Sequence, residues 1–103
     1  MSTSPDFVAY VCEQIEGIGN VRSRKMFGEY MIYINEKPVL LVCDNTVFVK
    51  MLPELECLLS DAPTGYPYDG AKLHYILDID DALLCRDVIS VAEQLIAIPK
   101  KKR

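Results

Sequence analysis

Three features of the chain predict an α+β domain with helices packed on a five-stranded antiparallel sheet, in the order α-β-β-β-β-α-β-α. An apolar stripe at helical spacing stands near each end of the chain. Between them lie four short apolar or β-branched runs separated by turn residues, the pattern of a meander. The 103 residues, 50% hydrophobic and 25% charged, suit one domain with a single core.

Ser4-Pro5-Asp6 opens the first helix: a capping hydroxyl, a proline suited to the first helical position, and an acid for the positive helix end. Phe7, Val8, Val11, Cys12 and Ile15 form its stripe, and Gly17 and Gly19 end it. Val21–Phe27 reads as a strand with Arg22 and Arg24 on one face, bent or broken at Gly28. Tyr30–Ile34, Val39–Cys43 and Thr46–Met51 read as three further strands, joined at Asn35-Glu36-Lys37 and Asp44-Asn45. Pro53–Leu59 reads as a short helix with Leu55, Leu58 and Leu59 inward, and Ala62–Ala71 as an ordered loop. Lys72–Ile79 alternates like a fifth strand. Asp78 or Asp80 is expected to cap a last helix ending near Pro99, with a stripe of Leu84, Val88, Val91, Ala92, Leu95 and Ile96. Residues 1–99 thus form one domain, and 100–103 a basic tail. The middle strands are apolar on both faces, Ile32 and Ile34 on one and Met31 and Tyr33 on the other. Either helices cover both faces or one face meets another protein, a second copy of the chain included.

The net charge of −4 conceals a more acidic body, because Lys100, Lys101, Lys102 and Arg103 lie together at the end. Such a body repels a phosphate backbone, and the tail supports weak, sequence-blind DNA binding at most. No apolar run approaches a membrane span, and the first residues lack the pattern of a signal peptide, so the expected location is cytoplasmic. Cys12, Cys43, Cys57 and Cys85 show no C-x-x-C spacing and read as buried small hydrophobes in a reducing compartment. His74 is the sole histidine, and no zinc-ligand spacing accompanies it. Asp78, Asp80 and Asp81 fit a strand end and a helix N-terminus better than a metal site. No nucleotide-binding or nucleophile motif occurs, so neither catalytic residues nor a cofactor or metal are expected.

Arg24-Lys25-Met26-Phe27-Gly28-Glu29-Tyr30, followed by Tyr33, resembles the signature of the TfoX (Sxy) N-terminal domain family, associated with regulation of natural competence in bacteria. Phe7-Val8-x-Tyr10-Val11, Val47-Phe48-Val49-Lys50, Pro67-Tyr68-x-Gly70-Ala71-Lys72 with Tyr75, and the Pro99-Lys100-Lys101-Lys102 ending extend the resemblance over nearly the whole chain. The resemblance implies a five-stranded antiparallel sheet with helices. It also implies a part in transcription regulation, because TfoX-type regulators are understood as co-activators working with the cyclic-AMP receptor protein. Those regulators carry a separate C-terminal helical domain, and these residues correspond to the N-terminal domain alone.

The expected function is therefore a non-enzymatic regulatory or adaptor domain acting by protein–protein contact, a transcription factor being one candidate partner. Its candidate surface is Arg24, Lys25, Met26, Phe27, Gly28, Glu29, Tyr30, Lys50, Pro67, Tyr68, Gly70, Lys72 and Tyr75. The alternative is a small-anion-binding domain or enzyme using Arg24, Lys25, Lys50 and Lys72. Convergence of those four charges on one concave site would favour the alternative, and scattering would count against it.

Overall fold

The computed structural model describes residues 3–26 and 29–96. Helix α1 (Pro5–Gln14) starts as its sequence requires: the Ser4 hydroxyl accepts from the Phe7 amide at 3.2 Å, and Pro5 occupies the first turn. Strands β1 (Val21–Met26), β2 (Glu29–Ile34), β3 (Lys37–Cys43) and β4 (Thr46–Lys50) form an antiparallel meander. The β2–β3 and β3–β4 turns are two residues long. Asn35 and Glu36 have φ of 52° and 68°, and Asp44 and Asn45 have φ of 51° and 56°. Positive φ at both central residues matches the twist of the flanking strands, and Asn and Asp tolerate it well.

The expected fifth strand is one of two. β5 (Thr64–Gly65) and β6 (His74–Ile76) give a six-stranded sheet in the order β1-β2-β3-β4-β6-β5. The five-strand expectation fails because β5 is only two residues long between Pro63 and Pro67, too short to show a period. The strand expected over Lys72–Ile79 pairs only in its middle, although the Leu77 amide still bonds the Val47 carbonyl at 2.9 Å. The helix expected over Pro53–Leu59 is a single 3-10 turn, Pro53–Leu55, followed by turns. The element order is accordingly a helix, four strands, a 3-10 turn, two strands and a helix.

Helix α2 (Ala82–Leu95) is capped by Asp81, not by Asp78 or Asp80. The Asp81 carboxylate accepts from the Leu84 amide at 3.1 Å. Its inward face is Cys85, Val88, Ile89 and Ala92, followed by Ile96, while Leu95 is exposed. These residues join Val8, Val11 and Ile15 of α1 against Ile32, Ile34, Leu40, Val42, Val47, Val49 and Leu77 on one face of the sheet. Both helices therefore serve the same face. Phe48 and Cys43 are buried but lie outside this core, on the other face.

Four free cysteines are present. Cys43 and Cys85 are buried and Cys12 is half-buried, as expected for small hydrophobes, but Cys57 is exposed in the turn after Leu55. Among the described residues no helix is long and apolar enough to cross a membrane. The tail at 100–103 and the bend expected at Gly28 lie outside the described residues.

Candidate functional site

The strand register builds the outer face of the sheet. Arg24 stands opposite Met31, Met31 opposite Leu41, Leu41 opposite Phe48, and Phe48 opposite Ile76, giving one row across five strands. Lys50, His74 and Gly65 form a second, shorter row across β4, β6 and β5. The chain between β5 and β6 crosses the end of these rows. Gly70, at φ 86°, turns it back and brings Tyr68, Ala71 and Lys72 beside Phe48.

The result is a hollow of about 340 Å³ with Met31, Leu41 and Phe48 in its lining and Lys50, Lys72 and His74 among its polar groups. A second hollow of about 320 Å³ shares those three polar residues and adds Met51, Leu52 and Leu73. Each hollow therefore carries two ammonium groups and an imidazole. Among the described residues no Asp, Glu, Ser, Thr or Cys lines either one. The His74 ring is fixed by its Nδ1–H, which donates to the Lys72 carbonyl at 2.7 Å, and by an edge-on contact with Phe48 at 6.4 Å. Gly65 leaves room for the packing beneath. A Cβ there would lie 3.3 Å from Ile76 Cδ1 and 3.6 Å from Phe48 Cε1.

The four expected cations do not converge as a set. Lys50 and Lys72 meet at the hollow, but Arg24 and Lys25 do not line it. β1 is the edge strand farthest from β6. On it, Arg24 shares the outer face with Met31, while Lys25 stands opposite Tyr30 on the helix-bearing face. Arg22, also on β1, is occupied by Glu36 at 3.0 Å and lies 4.5 Å above the Tyr33 ring.

The remaining surface candidates divide. Tyr68 and Gly70 line the hollow, and Pro67 is buried in the same loop. Tyr75 and Tyr30 belong to the helix side: Tyr75 is buried in the core and Tyr30 packs half-buried against it. Strand alternation puts Tyr75 opposite in face to its neighbour His74. Glu29 sits beside Cys43, whose thiol is pushed up to about 12 by burial and by its hydrogen bond to the Glu29 carboxylate. Met26 ends β1, and Phe27 and Gly28 lie outside the described residues. The sequence reading missed His74, Met31, Leu41 and Gly65 as parts of the site. Alternation of Lys72 and His74 against Leu73 and Tyr75 was the available signal for His74; the others required the register.

Among the described residues no group of three or more His, Cys, Asp or Glu side chains is placed to hold a metal ion. The arrangement suits contact and binding: an apolar sheet face and two exposed tyrosines, Tyr66 and Tyr68, with positive charge at one end. Comparison with known proteins matches the TfoX N-terminal domain model over residues 13–93. The chain belongs to the TfoX N-terminal domain family. The match spans all six strands, the loop over the hollow and most of α2. The chain is also 30% identical over 105 aligned positions to an uncharacterized 12.7 kDa protein in the trpE 5′ region of Spirochaeta aurantia, covering all of this chain and 91% of that protein.

Proposed function

We propose that this TfoX N-terminal-type domain is a non-enzymatic regulatory or adaptor module that acts by contact with a protein partner through the outer sheet face. One observation carries this reading. Both helices pack on one face of the sheet, and the other presents the half-buried side chains of Met31, Tyr33, Leu41 and Ile76 beside exposed Tyr66 and Tyr68. Apolar and tyrosine-rich surface of this kind is enriched where proteins meet. Resemblance to TfoX-type competence regulators makes a transcription factor the partner to test first.

The test is affinity capture from the source cell with the tag at Met1, using the parent and a Tyr66→Ser/Tyr68→Ser variant. Both tyrosines are more than half exposed, at 67% and 53%, so the variant should fold as the parent does. Recovery of a transcription factor or polymerase component by the parent, lost in the variant, is the expected result. Recovery of the protein alone, or of the same partner equally by both forms, overturns the reading.

A further inference from the structure

We propose that the hollow under the β5–β6 loop is a binding site for a small amphipathic anion, such as a medium-chain carboxylate, with its apolar body against Met31, Leu41 and Phe48 and its anionic head at Lys50 and Lys72. This goes beyond the protein-contact reading and stands without it. The argument begins with charge. The chain holds 15 acids against 11 lysines and arginines, yet among the described residues no acid lines either hollow, and both have the same two lysines. Three other cations of the fold are engaged, Arg22 with Glu36, Lys37 with Glu93, and Arg86 with the Glu16 carbonyl, while Arg24 and Lys25, unpaired among the described residues, line neither hollow. Lys50 and Lys72 make no ion pair among the described residues. Two unneutralised ammoniums beside an apolar concavity focus a negative ligand there, despite the acidic body.

Chemistry narrows the ligand further. Most of the lining is apolar, so a bare inorganic anion would leave it unfilled. The cations are lysines, point charges that pair with a carboxylate or a phosphate head alike, so the apolar lining and not the charge sets the ligand class. Glycine 70 and its neighbours close one side of the hollow, and about 340 Å³ suits a small molecule better than a folded segment of a partner. His74 borders the site without binding the anionic head: its Nδ1–H is given to the Lys72 carbonyl, and the other ring nitrogen of a neutral imidazole is an acceptor.

The test is a titration of the full chain, followed by amide nitrogen–proton correlation spectra, with octanoate, uncharged octanamide and inorganic phosphate as probes. Saturable shifts with octanoate are expected at Leu41, Phe48, Lys50, Ala71 and Lys72, with octanamide weaker and phosphate without effect. A Lys50→Gln/Lys72→Gln variant should bind octanoate roughly three- to tenfold more weakly, with octanamide unchanged, as expected for two solvent-exposed charge contacts. Both lysines are exposed, and the variant's own spectrum checks that it is folded. Unsaturable or scattered shifts, equal binding of octanamide, or phosphate binding as tightly as octanoate would each overturn the proposal. Because no partner protein is present in the titration, its failure leaves the capture experiment unaffected.

Discussion

Asp78, Asp80 and Asp81 show how one acidic run divides into separate tasks. Asp78 accepts from the Asp80 amide at 3.1 Å, closing a local turn. Asp80 accepts from the Tyr10 hydroxyl, tying α1 to the approach of α2 and raising the Tyr10 pKa through that hydrogen bond. Asp81 caps α2. The sequence placed negative charge at this helix start but could not choose among three carboxylates, because capping depends on backbone angles one residue apart. Asp81→Ala should cost about 1 kcal/mol in urea denaturation and Asp81→Asn much less, since an amide oxygen can still accept from Leu84. Equal losses for the two variants would mean that the charge, and not the cap, is what stabilises the helix. Cys57 makes a second prediction at this scale. It is the exposed thiol, so iodoacetamide should modify it first in the native protein, with buried Cys43 and Cys85 reacting only after unfolding. Peptide mass mapping over time would read the order, and simultaneous loss of all three thiols would refute it.

Between elements, the most specific tie joins the start of β3 to the last turns of α2. Lys37 Nζ donates to the Glu93 carbonyl oxygen at 2.7 Å and lies 3.1 Å from its carboxylate. The hydrogen bond from Lys37 holds the Glu93 carboxyl below its ordinary value, with Asn35 assisting. A carboxyl lowered in the folded state stabilises that state at neutral pH, and the benefit is lost as pH falls through its folded value. Glu93→Gln should therefore lower the urea midpoint at neutral pH, with the gap to the parent narrowing on acidification. A pH-independent gap would assign the effect to packing alone. The meander and both helices were legible from the sequence, because Ser4-Pro5, Asn35-Glu36 and Asp44-Asn45 mark their boundaries by local chemistry. The two-residue β5 was not legible, and the expected stripe on α2 holds except at Leu95. Leu95 satisfies the helical spacing yet stays exposed, because what α2 buries depends on where it crosses β3 and the 3-10 turn. The candidate site was legible only in part for a related reason. Lys50 and Lys72 meet because β4 pairs with β6, a contact between distant segments that no local pattern encodes. Arg24 and Lys25 seemed to belong with them by charge alone, whereas the register places them on the far edge and on alternate faces.

At the scale of the whole molecule, the sheet is stabilised on both faces, and its two buried thiols report on them together. Cys85 lies in the core under α2, where its thiol donates to the Asp78 carbonyl at 3.4 Å. Cys43 lies on the opposite face beside Glu29. Burial raises both, Cys85 to about 11 and Cys43 to about 12, with nearby carboxylates adding to the effect. In the unfolded chain both thiols return to about 8.5. Above that value the unfolded state sheds protons that the folded state retains, so stability is full below it and falls as pH rises toward the folded values. One pH unit above the unfolded value should cost roughly 1 kcal/mol per thiol. Tyrosines and lysines also titrate in this range, so the informative quantity is the difference between the parent and a Cys43→Ala/Cys85→Ala variant in urea with reductant present. The variant starts less stable at neutral pH, because two buried side chains are trimmed. Its deficit should shrink as the solution is made alkaline, because it has no buried thiols to ionise on unfolding. Single variants should each recover part of that convergence if the two faces unfold in one cooperative step, since either thiol then reports the global transition. Parallel curves for parent and double variant would mean that both thiols already ionise in the folded protein, and that neither is closed to water as its burial describes.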